Sequence, residues 1–251
     1  MALLLGEGMA RVTVAHRYRR WGVTEEASFP QLAAGLVARK TRRPVRALNL
    51  AVPGCNSWME VESLVSRMEA IDPDVVVMQW VANDADLPNF IYPTPDVWAV
   101  DRSYLWDVLL RPGDALLHPS ASRPVMAKKE KTPDGQTVHW PNPDQVPSRY
   151  RRMVGEQGVA AEYRRLNQAC TDRGIPVVLT YSLSPPHPFV QGLARELGWQ
   201  VVEPLALAED RRGFRVNDLR LLPEDPHSNA KGHHMIAEAV AEEIRAAAGW
   251  L

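Results

Sequence analysis

The sequence predicts a three-layer α/β/α sandwich around a central parallel sheet. Three observations carry that expectation. Val75-Val76-Val77-Met78 and Val177 to Tyr181 are short continuous apolar runs, the pattern of parallel strands covered on both faces. Between such runs lie longer stretches with apolar residues three and four apart, the period of a helix with one buried stripe. Gly174-Ile175-Pro176 then joins a helical pattern directly to an apolar run, as in a βαβ unit. With 251 residues, 45% of them hydrophobic, the chain is long enough for one large core. No internal repeat interrupts it, so a single domain over 1–251 is expected.

In order, Leu3 to Leu5 reads as a short buried strand ended by Gly6-Glu7-Gly8. Arg11 to Trp21 reads as an Arg-rich connection. Ser28-Phe29-Pro30 opens a helix with Leu32 and Leu36 on its apolar stripe, and Pro30 suits a first turn. Val45 to Leu50 is the second strand, and Pro53-Gly54 turns after it. Asn56 or Ser57 caps a helix carrying Met59, Val61, Leu64, Val65 and Met68. Asp72-Pro73-Asp74 stops that helix before the Val75 strand. From Asp84 to about Gln157 the chain is rich in Pro and aromatics and has a Pro133-Asp134-Gly135 turn. A helical pattern falls around Val97 to Leu110. So long a connection reads as an insertion or cap, at about 85–155, lying over the strand ends. Helices follow over Glu156 to Arg173 and Phe189 to Leu197, with a last short strand at Val201-Val202. Glu209 to Leu219 reads as charged loop. After Pro223-Glu224-Asp225-Pro226 the chain becomes helical again, with Ser228 or Asn229 as N-cap and Ile236, Val240 and Ile244 on one stripe.

A formal net charge of −1 excludes a global attraction to nucleic acid or anionic lipid. The two cysteines, Cys55 and Cys170, form no disulfide framework and have no metal-type spacing. His233 and His234 are adjacent on a helix and point about 100° apart, a poor ligand pair. No metal or cofactor is expected. The apolar start is too short for a signal-peptide core, and no run is long enough to span a bilayer. The expectation is a cytoplasmic protein acting on a small molecule, with no nucleic-acid or membrane partner.

The candidate chemistry centres on Asp225 and His227. In extended backbone, residues two apart point the same way, so a carboxylate there can orient an imidazole and stabilise its protonated form. Two further stretches each follow a β-like run and end in a turn: Asn49-Leu50-Ala51-Val52-Pro53-Gly54-Cys55-Asn56-Ser57 and Trp80-Val81-Ala82-Asn83-Asp84. With Asp225-x-His227-x-Asn229-x-x-Gly232-His233, in this order and spacing, they resemble the sequence blocks of the SGNH (GDSL-type) hydrolases over nearly the whole chain. The resemblance implies an SGNH/flavodoxin-like fold and esterase, acyl-hydrolase or acyltransferase activity on an ester or acyl group. It makes Asp225–His227 the base pair, and Gly54 N–H and the Asn83 amide oxyanion-hole donors.

One departure stands out. Where the family's first strand ends in Gly-Asp-Ser, this chain has Gly6, Glu7 and Gly8. A glycine has no side chain to attack a carbonyl, so no acyl-enzyme forms on residue 8; its N–H can still serve the oxyanion hole. Three routes stay open. A hydrolase uses a relocated nucleophile, with Cys55 and Thr13 as candidates, or a water activated by His227 with Glu7 as second carboxylate. A base facing an oxyanion hole catalyses elimination, isomerisation or cyclisation without a serine. Or the chain is an inactive binding protein, in which Glu7 favours cationic or hydroxyl-bearing ligands.

Overall fold

The computed structural model describes residues 10–14, 23–52, 54–88, 127–131, 137–141, 146, 148–222 and 225–250. At residues 10–14, 82, 127–131, 137–141, 211, 212, 222, 225 and 226 it describes the backbone alone. In chain order the elements are β1 (Ala10–Val14), α1 (Phe29–Thr41), β2 (Val45–Asn49), α2 (Ser57–Val65), α3 (Met68–Ile71) and β3 (Val76–Trp80). A hairpin follows, β4 (Ala127–Lys131) and β5 (Thr137–Pro141), then α4 (Gly155–Thr171), β6 (Val177–Tyr181) and α5 (Pro188–Glu196). The chain closes with β7 (Gln200–Val202), α6 (Pro204–Arg212), β8 (Arg220–Leu222), β9 (Asp225–Ser228) and α7 (Ala230–Ala247).

Strand pairing is parallel throughout the main sheet. β2 pairs with β1 (Val14 opposite Asn49), and β3 with β6 with β7 (Trp80 opposite Tyr181, Leu179 opposite Val201). β1 runs beside β3, with Cα atoms within 8 Å, which joins the two groups side by side. Every residue of β3 and of β6 is buried. Their side chains alternate between two cores, as the strand period of two requires. Val77 and Val178 enter a core with α1, α6 and α7 (Phe29, Val37, Ala208, Ile236, Val240). Val76, Met78, Trp80, Leu179 and Tyr181 enter one with α2, α3, α4 and α5 (Val61, Leu64, Met68, Tyr163, Leu166, Val190). Helices therefore cover both faces, which is why these strands read as unbroken apolar runs.

Local signals set many of the boundaries. Asn56 is the N-cap of α2 and accepts from Met59 N, and Asn229 is the N-cap of α7 and accepts from Gly232 N. α1 has Pro30 in its first turn. The helix expected from residue 57 to 68 is broken into α2 and α3 at Ser66-Arg67, and Asp72 closes α3 in the left-handed region at φ 49°.

Three expectations need correction. The Arg11–Trp21 connection begins as strand β1, because alternate Ala10, Val12 and Val14 let it pair with β2. The loop at Glu209–Leu219 is helix α6 up to Arg212, with Ala208 fully buried and Leu207 packed on the core, followed by a 3-10 turn at Val216–Leu219. The stretch with Asp225 and His227, expected only as the approach to the last helix, is strand β9, paired antiparallel with β8. Within the stretch expected as an insertion, the described residues 127–131 and 137–141 form the β4–β5 hairpin, Lys129 opposite His139. The expected Leu3–Leu5 strand, Glu7, Gly8, the helix at Val97 to Leu110 and the Pro133-Asp134-Gly135 turn lie outside the described residues.

Candidate functional site

Two turns meet at the exits of β2 and β3, and a third segment, β9, leads to residues packed at the exit of β6. After β2 the chain turns at Gly54, whose φ of 83° lies in the left-handed region that a side chain disfavours. Val52 O accepts from Cys55 N to close that turn. Val52 is 56% exposed, the large apolar side chain most open to solvent among the described residues. After β3 a 3-10 turn spans Ala82–Ala85. Val81 O accepts from Asp84 N, Asn83 O accepts from Asp86 N, and Asp84 Oδ2 accepts from Val81 N at 2.8 Å. The backbone is thereby held while the half-buried Asn83 amide makes no hydrogen bond among the described residues.

Asn56 joins these two turns. It is fully buried. Its Oδ1 accepts from Met59 N at 3.2 Å, while its Nδ2 donates to Asp86 O at 3.0 Å and to Met153 O at 2.9 Å. One side chain thus ties the Gly54 turn, the Asn83 turn and the segment before α4 together. Sequence reasoning gave Asn56 a capping role only. Its two donor bonds span 30 and 97 residues, and no local pattern announces them. β5 also approaches the Asn83 turn, with Cα atoms within 8 Å.

The third segment is β9. Ser182 N donates to Trp80 O, so the exits of β3 and β6 stay side by side. Leu183, two residues past β6, packs against Gly232 so closely that a Cβ there would lie 2.7 Å from Leu183 Cδ1, 2.5 Å from Leu219 O and 3.1 Å from Ser228 Cβ. The residues next to half-buried His227 are thereby fixed at the exit of β6. The backbone is extended through Asp225 and His227. His233 belongs to the scaffold: its Nδ1 accepts from Phe29 N at 3.2 Å, its ring stacks on Phe29, and burial pushes its pKa down to about 4. His234 faces outward, 3.6 Å from Glu238.

Burial sets the remaining titrations. Cys55 is pushed up to about 11 by burial and by the nearby Glu60 and Asp84 carboxyls. At neutral pH it is a thiol, so the lowered pKa that a relocated nucleophile requires is absent at Cys55. Thr13 lies within β1, whose backbone alone is described. Asp86 is raised to about 7 by burial. His187, which follows β6 and lies against Trp80 and Phe189, is lowered by burial. Among the described residues, no group of three or more His, Cys, Asp or Glu is placed to hold a metal ion. Among them, too, no helix is long and apolar enough to cross a membrane.

No family model matches the chain, and no curated protein matches it in sequence. Solved structures do. TesA is similar with TM-score 0.52 at 12% identity, covering 96% of this chain and 98% of that one. A lipase/acylhydrolase from Enterococcus faecalis has TM-score 0.48 at 14% identity, covering 94% and 95%. A protein from Desulfitobacterium hafniense DCB-2 assigned to the lipolytic G-D-S-L family has TM-score 0.45 at 13% identity, covering 92% and 98%. The fold is that of TesA, an α/β sandwich.

Proposed function

We propose that this chain is an SGNH/GDSL-like hydrolase acting on an ester or acyl group of a small molecule. His227, backed by Asp225, is the base. Gly54 N–H and the Asn83 amide, with Gly8 N–H, receive the oxyanion. The observation that carries the reading is the Asn56 clamp, which keeps the Gly54 and Asn83 turns side by side at the strand exits. Convergent amide donors in a fixed frame are what an oxyanion hole requires, since they need no reorganisation as charge develops. Exposed Val52 adds apolar surface beside Gly54 for an acyl group. With Gly8 in the serine position and Cys55 held as a thiol, this reading gives the attack to a water activated by His227, with Glu7 as second carboxylate, and leaves Thr13 as the alternative nucleophile. The β4–β5 hairpin is read as part of a cap over this site.

The test is hydrolysis of p-nitrophenyl acetate and butyrate by the wild type, Gly8→Ser and His227→Ala. Turnover by the wild type that His227→Ala abolishes supports direct attack by water. An inert wild type with an active Gly8→Ser chain means that the shell is intact without its nucleophile. If all three are inert, the hydrolase reading fails.

The missing hydroxyl at residue 8 favours one second reading, a base-catalysed elimination, isomerisation or cyclisation on the same scaffold. There His227 takes a proton next to a carbonyl and the amide donors hold the enolate. Its required sign is solvent deuterium entering a carbonyl ligand in the wild type and not in His227→Ala.

A further inference from the structure

β9 holds one residue more than β8 matches. Leu222 lies opposite Asp225 and Arg220 opposite Ser228, so two steps along β8 meet three along β9. The extra residue falls at Pro226–His227 and makes a β-bulge there. A bulge interrupts the strand period and re-aims the side chain it carries, so alternation alone does not decide where His227 points. Pro226 has no N–H to give to a ladder, which suits it to that place. The direction of His227 then depends on how firmly the chain is held on either side of the bulge.

Downstream the chain is held by Asn229, whose polar atoms are all engaged. Its N–H donates to Leu219 O at 2.9 Å, and its Nδ2 donates to Asp218 O at 3.0 Å and to Arg220 O at 2.8 Å. One residue thus grips three consecutive carbonyls where the 3-10 turn passes into β8. Towards α7, its Oδ1 accepts from Gly232 N at 3.0 Å and its O from His233 N at 2.9 Å. That first turn of α7 is itself fixed, because His233 Nδ1 accepts from Phe29 N and a Cβ at Gly232 would collide with Leu219 O. Capping a helix needs only the Oδ1 bond. The two Nδ2 bonds do something else: they tie the residue after Ser228 to the strand that β9 pairs with.

We propose that Asn229 is a positioning residue for His227, its carboxamide fixing the downstream end of the bulge against β8 so that the imidazole keeps one direction. Asn229 touches no reacting atom in this scheme. The catalytic use of that direction rests on the hydrolase reading; the direction itself does not.

Asn229→Ser separates a cap from a positioning residue. Serine caps a helix about as well as asparagine, but it cannot make the two Nδ2 bonds. The χ1 rotamers of His227 and His233 are read in the full chain from NMR three-bond couplings between each ring carbon and its own backbone. The wild type is expected to show one rotamer at both. Asn229→Ser is expected to average His227 and to leave His233 unchanged. An averaged His227 in the wild type, or a His227 that keeps its rotamer in Asn229→Ser, overturns the proposal. Should Asn229→Ser fail to fold or disturb His233, Asn229→Asp, which keeps the shape and the cap acceptor without the donors, decides by the same couplings. On p-nitrophenyl acetate, kcat is expected to fall about 10–100-fold in Asn229→Ser with KM unchanged, the cost of a misaimed group; an unchanged kcat overturns the catalytic consequence. The couplings need no ester, so failure here is distinguishable from failure of ester hydrolysis.

Discussion

Replacing Asn56 with alanine removes one side chain and three hydrogen bonds at once. The N-cap bond to Met59 N accounts for about 1 kcal/mol. The two donor bonds matter more, because Asp86 O and Met153 O lose a buried donor, and an orphaned buried acceptor costs about 1–3 kcal/mol each. The total is roughly 3–7 kcal/mol, a large share of the ~5–15 kcal/mol that holds a typical domain together. Urea unfolding of the wild type, Asn56→Ala, Asn56→Ser and Asn56→Asp measures it. Serine keeps a cap acceptor and loses both donors to the carbonyls, so it is expected to be milder than alanine by about 1 kcal/mol. Aspartate also keeps the cap, but it sets a buried carboxylate against two carbonyl oxygens and is expected to be the worst of the three. An alanine variant within about 0.5 kcal/mol of the wild type would refute the clamp, since a surface substitution of no consequence costs that much.

Gly232→Ala inverts the usual helix preference. In an ordinary helix the change gains up to about 1 kcal/mol, but here the new Cβ meets Leu219 O at 2.5 Å, and the thermal midpoint is expected to fall. His233, pushed down to about 4 from 6.5, is held neutral in the fold. Its contribution is complete above pH 6.5 and is lost as pH falls towards 4, roughly 3 kcal/mol by linkage; His233→Asn should flatten that acid limb in urea titrations. Asp86, raised to about 7 from 3.8, has the opposite sign. The fold holds its proton more tightly than the unfolded chain does, so stability falls as pH rises from about 4 through 7. Asp86→Asn is therefore expected to be more stable than the wild type at pH 8, by roughly 1–3 kcal/mol after allowing for solvent screening. Equal stability of the two at pH 8 would remove Asp86 as a buried acid.

The sequence alone determined what depends on neighbours along the chain. β6 spans Val177 to Tyr181, as its apolar run indicates, and α4 follows the stripe of Val159, Tyr163, Leu166 and Cys170 within a residue or two of the expected ends. Asn56 and Asn229 cap their helices, because capping is a bond between a side chain and a backbone N–H three residues on. The TesA-like fold follows from this alternation of strand and helix. Tertiary structure decided whatever depends on distant partners. β9 is a strand only because β8 lies beside it, and β1, half polar in sequence, is a strand because β2 pairs with it. Charges in α6 hide a helix that Leu207 and Ala208 hold to the core. A capping asparagine becomes a clamp only when Asp86 and Met153 arrive from 30 and 97 residues away. Likewise Glu60 and Asp84 read as ordinary polar residues until packing removes water from both, and solvation is a property of the whole fold rather than of any segment.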